Sequence, residues 1–160
     1  METIAQKATE VFCALIDGMN GKSHLKILNK PFMPLVIERI LEDVKFKGGS
    51  ASLYSLCHYY KQNGDLMVDP EICFIVVDNR GHSKEYESVI IIPYLYQQAP
   101  AMIYEESIII DSSIVPDEYI ATMQHKYTQF ANQWLMNIEQ QGFLIQLGKG
   151  KAIQLSDEDE

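Results

Sequence analysis

The sequence predicts an α+β fold, in which an antiparallel four-stranded meander is packed by two N-terminal helices and one long C-terminal helix. Three observations carry this prediction. Apolar residues recur at helical spacing near both ends of the chain, and β-branched and aromatic residues dominate from residue 51 to about residue 110. The joints within that middle region are short, which allows hairpins between consecutive strands, whereas parallel strands need long crossovers.

Two helices are predicted ahead of the sheet. The first runs from about residue 3 to Gly18, and one face of it carries Ile4, Ala8, Val11, Phe12 and Leu15. The second is "MPLVIERILEDVKF", where Pro34 suits a first helical turn and apolar residues recur about every four positions before Gly48 and Gly49. A short strand over Leu25–Leu28 is predicted between these two helices.

The middle of the chain is predicted to form the sheet. Its four strands are Ser52–Lys61, Leu66–Asp78, Tyr86–Gln97 and Met102–Asp111. The helical pattern then returns between Pro116 and Gly142, which suit the start and the end of a helix. The apolar stripe of this long helix contains Ile120, Met123, Tyr127, Phe130, Ala131, Trp134 and Ile138. The segment "FLIQLGKGKAIQL" is predicted to add one or two short strands.

Length and composition indicate a single globular unit. The 160 residues, 47% of them hydrophobic and 22% charged, predict one α+β domain over residues 1–155 and an acidic disordered tail over residues 156–160. Cys13, Cys57 and Cys73 are odd in number and lack Cys-x-x-Cys spacing, which argues against a disulfide framework and a structural zinc site. We therefore predict no metal and no cofactor.

Net charge and hydropathy limit the predicted cellular location and the kinds of molecule that the protein could bind. The net charge of −9 argues against direct nucleic-acid binding, which depends on clustered lysine and arginine. The apolar runs are far shorter than the roughly 18 residues of a membrane-spanning helix, and the N-terminus lacks a signal-peptide pattern. We expect a cytoplasmic location, no membrane and a protein partner, and the sequence leaves homo-oligomerisation open.

The run "HYYKQNGDLMVDPE", residues 58–71, is the most distinctive polar stretch of the chain. Asn63 and Gly64 favour a two-residue type I′ turn, because both central positions of that turn need positive φ. This turn predicts a register that pairs Gln62 with Asp65, Tyr60 with Met67, His58 with Asp69, Leu56 with Glu71 and Tyr54 with Cys73. Pro70 has no N–H to donate, so a bulge, a gap or a water is expected beside it on the side of the third strand.

Alternation along this hairpin sorts its side chains into two faces. The predicted polar face carries Tyr54, His58, Tyr60, Asp69 and Glu71, and the predicted core face carries Leu53, Cys57, Tyr59, Leu66, Val68, Ile72, Phe74 and Val76. Pro93, on the third strand, is predicted to come close to Pro70 if that hairpin closes tightly. Such an interruption of the sheet would open a small cleft.

Candidate site residues follow from this arrangement. His58, Asp69 and Glu71 are the candidate catalytic residues, because a carboxylate beside a histidine can raise its pKa and fix its tautomer for base catalysis or metal binding. The plainer interpretation is an exposed cross-strand ion pair. The candidate binding residues are Tyr60, Asn63, Asp65, Tyr96 and Gln97.

The hairpin run and the preceding "PFMPLVIERI" resemble a domain family of unknown function. Members of this family occur in bacterial mobile elements, plasmids and phage, and carry a motif like H-Y-x-x-Q-N-G-D-L-M-x-D-P-E. The resemblance spans about Pro31 to Tyr104 and includes the pair Tyr96-Gln97. Cys57 before the histidine and Ile-Cys after "DPE" depart from the family pattern. The resemblance implies a small accessory protein of mobile DNA and transfers no activity.

Three functional hypotheses remain open from the sequence. The first is a small intracellular accessory or interaction protein that binds a protein partner, through the polar face of the sheet or near Pro70 and Pro93. The second is a hydrolase or metal-dependent enzyme that uses His58, Asp69 and Glu71. The third is an acidic inhibitor that mimics nucleic acid and blocks a host defence enzyme, which the charge of −9 suggests.

Overall fold

The computed structural model describes residues 1–150 and 153–157. These residues form three helices, α1 (Gln6–Gly18), α2 (Ala121–Gln140) and α3 (Phe143–Lys149). They also form seven strands, β1 (His24–Ile27), β2 (Leu35–Phe46), β3 (Gly49–Gln62), β4 (Asp65–Asp78), β5 (Val89–Gln98), β6 (Ile103–Glu106) and β7 (Ile153–Ser156).

All the described strands join one antiparallel sheet with the order β6-β5-β4-β3-β2-β1-β7. Strands β1 to β6 lie in chain order, so each pairs with the strand before it, and β7 returns to pair with β1. The predicted α+β class is therefore confirmed, and so is the meander. The prediction of four strands with one or two short additions is wrong, because the described sheet has seven.

The largest error concerns "MPLVIERILEDVKF", which forms strand β2 and not a second N-terminal helix. Leu35 and Ile37 belong to the core that packs against the helices, and Val36, on the opposite face, is also buried, so no polar residue marks an outer face. Further along, register shifts between Arg39 and Leu41 and between Leu41 and Val44 break the alternation of the strand. Because three consecutive residues are buried and two register shifts follow, the apolar residues of this strand recur about every four positions, as they would in a helix.

The ends of the chain differ from the prediction in smaller ways. Helix α1 and its predicted apolar face are confirmed, and β1 lies within one residue of the predicted short strand. Helix α2 begins at Ala121 and not at Pro116, and Phe143–Lys149 is a helix and not a strand. Ser156, in the predicted tail, ends β7, and Asp157 lies 3.1 Å from the Nζ atom of Lys22. Residues 158–160 of that tail lie outside the described residues.

Both faces of the sheet carry a hydrophobic core. The helices cover one face, which we call the helix face. Its largest fully buried side chains include Phe12 of α1, Leu56 of β3 and Phe74 of β4. The rings of Phe12 and Phe74 pack edge to face, with their centroids 4.8 Å apart. The opposite face, which we call the outer face, has a smaller core that includes Leu53, Ile75, Ile92, Tyr94 and Ile108.

A long segment without regular helix or strand structure covers the outer face. We call it the strap loop, residues 107–120. It leaves the end of β6, reaches β2, where the N–H of Lys45 bonds to the carbonyl of Ser113 at 2.8 Å, and returns to the start of α2. Ile108 and Val115 anchor it in the outer core. The N–H of Ile120 bonds to the carbonyl of Ser107 at 2.8 Å, so the two ends of the loop meet.

Candidate functional site

The hairpin turn at Asn63 and Gly64 is confirmed. Both residues have positive φ, 53° and 84°, as the type I′ turn requires. The predicted register is also confirmed close to the turn, where Gln62 pairs with Asp65 and Tyr60 pairs with Met67.

The register changes at His58, and this change decides the chemistry of the site. Tyr59 pairs with Val68, but Cys57 pairs with Glu71, so two residues of β4, Asp69 and Pro70, lie opposite the single residue His58. A β-bulge therefore lies at Pro70, but in the pairing with β3, whereas the prediction placed the interruption on the side of the third strand, β5; the pairing of β4 with β5 covers Glu71–Asp78 and does not include Pro70. Beyond it every pair is shifted by one position from the predicted register.

One extra residue exchanges the two faces of a strand, because side chains alternate with a period of two. Beyond the bulge, Leu56 pairs with Ile72 and Tyr54 pairs with Phe74, and all four belong to the core under the helices. The prediction that Tyr54 and His58 lie on an exposed polar face is therefore wrong. Leu53, predicted to lie on the same face as Phe74, belongs to the outer core.

His58 lies in the core and not on a solvent-facing ribbon. Only 7% of the residue is exposed, and its ring packs against Trp134 at 5.7 Å and Phe143 at 5.4 Å between centroids. Its Nδ1 atom lies 3.2 Å from the carbonyl oxygen of Met33 and 3.3 Å from that of Pro34. A carbonyl only accepts, so Nδ1 carries the proton. Burial lowers the pKa of His58 below its ordinary value, which favours the neutral ring.

The two candidate carboxylates are divided between the faces of the sheet. Asp69 accepts a hydrogen bond of 2.9 Å from the side-chain amide of Gln98. Glu71 accepts one from the hydroxyl of Ser55, and it pairs with Cys57, whose side chain points away from that of its neighbour His58. His58, Asp69 and Glu71 therefore do not converge. Among the described residues, no group of three or more His, Cys, Asp or Glu side chains is arranged to hold a metal ion.

The candidate binding residues are also separated. Asn63 and Asp65 are exposed at the tip of the hairpin, and Tyr60 is half-buried nearby. Tyr96 lies on the helix face, where its ring stacks on Tyr127 at 5.8 Å, whereas the next residue, Gln97, points to the opposite face. The hydroxyl of Tyr96 donates to the side chain of Gln98, which in turn donates to Asp69. These hydrogen bonds connect β5 to β4 beside the bulge.

Pro70 and Pro93 do not interrupt the sheet at one place. Pro93 pairs with Phe74, four residues beyond Pro70, at a register shift between β4 and β5. The carbonyl of Pro93 accepts a hydrogen bond from Gln124 of α2. Each proline therefore lies at a separate register irregularity, and the side chain of Gln124 hydrogen-bonds to the backbone at the one beside Pro93.

A second polar cluster joins α1 to the loop after β4. The guanidinium of Arg80 donates to both carboxylate oxygens of Asp17, to both of Asp78 and to the carbonyl of Ser83, at 2.8–3.1 Å. These contacts use all five N–H donors of the side chain. Hydrogen bonds to Asp78 and Asp17 raise the pKa of Arg80. Because every N–H donor of Arg80 is bonded within the protein, we interpret this cluster as a structural link between α1 and the loop after β4.

The strap loop and the edge strand before it present a different surface. Fourteen large apolar side chains of the described chain are exposed, and six of them fall within residues 102–120: Met102, Tyr104, Ile109, Ile114, Tyr119 and Ile120. Ile109 is 67% exposed although it follows Ile108, which is 1% exposed. A loop that anchors one apolar side chain and presents the next one to solvent has the character of a binding surface.

The strap loop has two limbs, residues 107–110 and residues 115–120. One cleft lies on each side of the first limb, and Glu106 lines both clefts. The first, of about 380 Å³, lies between the two limbs and is lined by Glu106, Ser107, Ile109, Pro116, Glu118, Tyr119 and Ile120. The second, of about 410 Å³, lies between the loop and the outer core beside Leu53 and Tyr94. Both volumes fall at the lower end of the range for ligand sites, about 300–1,000 Å³.

The hydroxyl of Tyr104 holds Glu106 in place at the mouth of these clefts. It donates to the carboxylate at 2.6 Å, and this bond raises the pKa of Tyr104 to about 12, so the phenol stays protonated at neutral pH. A carboxylate that accepts such a bond is fixed in orientation. The clefts therefore combine apolar walls with a positioned negative charge.

Sequence reasoning missed the strap loop, because Met102–Asp111 was predicted as a strand and Pro116 as a helix start. Two signals in the segment could have revealed it. "SIIID" has three consecutive apolar residues where a half-buried strand would alternate, and "DSSIVP" places turn-forming residues before a proline. Residues 103–120 also contain five acids and no lysine, arginine or histidine.

The fold defines an antiparallel α+β protein, and its candidate site is the surface formed by β6, the strap loop and the two clefts beside them. The chain belongs to the family of the Domain of unknown function (DUF6908), whose model matches residues 7–144. No curated protein and no solved structure shows a significant match. Within the described residues, no helix is both long and apolar enough to cross a membrane.

Proposed function

We propose that this chain is a non-catalytic accessory protein that binds a protein partner through the strap loop and the adjoining strand β6. The observation that carries the proposal is the concentration of exposed apolar side chains in residues 102–120. A single exposed apolar residue is ordinary, but here three of them, Ile109, Tyr119 and Ile120, line one cleft, and such a group is typical of an interaction surface. The binding surface therefore differs from the hairpin face that the sequence favoured.

The polar groups elsewhere support a non-catalytic role. His58, which would serve as a base, is enclosed by aromatic rings and two backbone carbonyls, and Glu71 lies on the other face of the sheet. A general base must reach the proton that it removes within about 3 Å, or through one water. The observed arrangement stabilises the fold, and it supplies no reason to prefer the hydrolase or metal-dependent alternative.

We also propose that the protein works in the cytoplasm among the products of bacterial mobile DNA. The resemblance of the run "HYYKQNGDLMVDPE" to proteins of plasmids and phage supports the origin. The three cysteines are buried thiols, which suits a reducing compartment.

Site-specific photo-crosslinking tests the proposed surface. A photoreactive amino acid is placed at Ile109 in one variant and at Ile145 in another, in cells that naturally produce the protein. The two positions are 67% and 64% exposed, and Ile145 lies on α3 and not on the strap loop. We expect a discrete crosslinked protein from position 109 that position 145 does not yield.

The crosslinked protein is then purified and its affinity is measured with Ile109→Asp and Ile145→Asp variants. Because Ile109→Asp removes an apolar contact and brings a carboxylate into an apolar interface, it is expected to weaken binding about tenfold or more, and Ile145→Asp is expected to leave binding unchanged. Equal products from both positions, or equal affinities of the two variants, would contradict the proposal.

A further inference from the structure

We infer that the cleft between the two limbs of the strap loop receives an arginine or lysine side chain from an extended, apolar segment of the partner. This inference rests on the proposed function and names the chemistry of the partner. Four of the cleft's lining residues, Ile109, Pro116, Tyr119 and Ile120, are apolar, and the two acidic residues in the lining are Glu106 and Glu118.

The shape and charge of this cleft match a long basic side chain. Arginine and lysine bury an aliphatic stem against apolar surface while their charged ends reach a polar partner. The cleft of about 380 Å³ offers both environments within one concave site. A neutral apolar side chain would give neither glutamate a cation to pair with, and an acidic one would face like charges.

The surroundings of the cleft are acidic. Residues 103–120 contribute five acids and no basic residue to the net charge of −9. Glu105 lies apart from the others, because its carboxylate accepts a hydrogen bond from Tyr127 of α2. Among the described residues, two cations belong to groups that contact the strap loop: the amino group of Met1 bonds to the Tyr119 hydroxyl at 3.1 Å, and the backbone of Lys45 pairs with the loop. The remaining acids outnumber these two cations.

The position of β6 favours an extended partner segment. β6 is the terminal strand of the described sheet and pairs with β5 on one side. A terminal strand presents backbone N–H and carbonyl groups that an added strand can use. Glu106, the last residue of β6, lines the cleft. A segment that adds to β6 would therefore pass the mouth of the cleft and deliver a side chain into it.

Fluorescence anisotropy with short labelled peptides tests the inference on the full chain. The peptides alternate valine and threonine and carry arginine, glutamine or glutamate at two central positions. We expect the arginine peptide to bind about tenfold more tightly than the glutamine peptide, and the glutamate peptide to bind least. The preference should weaken as salt is added, because part of it is electrostatic.

Glu106→Gln and Glu118→Gln remove the two carboxylates one at a time, and Glu139→Gln removes the same charge from an exposed position on α2. The first two variants are expected to weaken arginine-peptide binding at least about threefold, and the third to change it less than about twofold. Circular dichroism checks that each variant is folded.

Absence of arginine-peptide binding, equal binding of the glutamine peptide, or an equal loss from Glu139→Gln would overturn the inference. Equal losses from all three variants would mean that net charge alone attracts the peptide. If the partner crosslinked at position 109 contacts the loop through an acidic or uncharged segment, the inference fails while the proposed function stands. If no partner is crosslinked but the arginine preference depends on Glu106 and Glu118, the cleft chemistry stands and the proposed function fails.

Discussion

The surroundings of His58 and the strap loop use their polar and apolar groups in opposite ways. Around His58, a run rich in polar residues turns inward, and its imidazole and carboxylates bond to backbone carbonyls, an amide and a hydroxyl. In the strap loop, a run rich in isoleucine turns outward and exposes Ile109 and Ile120. The difference shows that a polar run in a sequence does not by itself locate a binding surface, because its polar groups can form their hydrogen bonds inside the protein.

The largest expected effect compares two leucines of β3 on opposite faces of the sheet. Leu56 is fully buried under the helices, and Leu53 lines the open cleft beneath the strap loop. Leu56→Ala should lower the free energy of unfolding by about 4 kcal/mol, since it leaves an enclosed cavity. Leu53→Ala should cost about 2 kcal/mol, because the space that it leaves opens to solvent. Urea denaturation measures both values, and equal losses would show that the two faces are equally well packed.

An intermediate effect concerns acid sensitivity at His58. Burial lowers its pKa in the folded state, so the unfolded chain binds the extra proton first as pH falls below about 6.5. The stability that neutral His58 provides is complete above that pH and is lost as pH falls toward the folded-state pKa, by at most about 1.4 kcal/mol per pH unit.

His58→Asn keeps an N–H donor for the carbonyls of Met33 and Pro34 but cannot titrate in this range. It should lower stability at every pH, because ring contacts are lost, and remove the part of the pH slope below about 6.5 that His58 causes. His82→Gln, which removes a histidine from an exposed loop, is the matched control. Thermal unfolding across pH 5–8 measures the slopes, and an unchanged slope in His58→Asn would assign the acid sensitivity to another group.

The smallest expected effect separates stability from binding in the strap loop. Ile109→Ser and Ile145→Ser should each change the free energy of unfolding by less than about 0.5 kcal/mol, because both side chains are mostly exposed. A loss near 2 kcal/mol for Ile109→Ser would show that this residue supports the fold, and the strap loop would then resemble the surroundings of His58. Denaturation in urea distinguishes these outcomes.

The sequence predicted the parts of the fold that depend on local rules. Helix α1, the turn at Asn63 and Gly64 and the meander follow from helical spacing, positive-φ preference and short joints, and the structure confirms them. Strand β2 was missed because its buried residues belong to two cores on opposite faces, Leu35 and Ile37 under the helices and Val44 and Phe46 in the outer core. Burial on both faces erases alternation, and the irregularities after Arg39 add a false helical spacing.

The candidate site was less predictable, for a physical reason that a single position illustrates. The pairing of Gln62 with Asp65 was correct, but one extra residue opposite His58 inverted the face of everything beyond it. Nothing in residues 58–71 specifies whether Pro70 disrupts the pairing with β3 or with the strand on its other side. The position of the strap loop depends equally on distant contacts, since Ile108 and Val115 are anchored by residues of β2 to β5.

The hydrogen bond that joins Ile120 to Ser107 also bears on how the family could diversify. Because the loop leaves and re-enters the fold at nearly the same point, its length can change without altering the distance between the end of β6 and the start of α2. Insertions and deletions between these two residues are then compatible with an unchanged sheet and helix layer. We expect this interval to be where members of the family differ most in length, and where a new partner preference could be acquired by exchanging one short peptide.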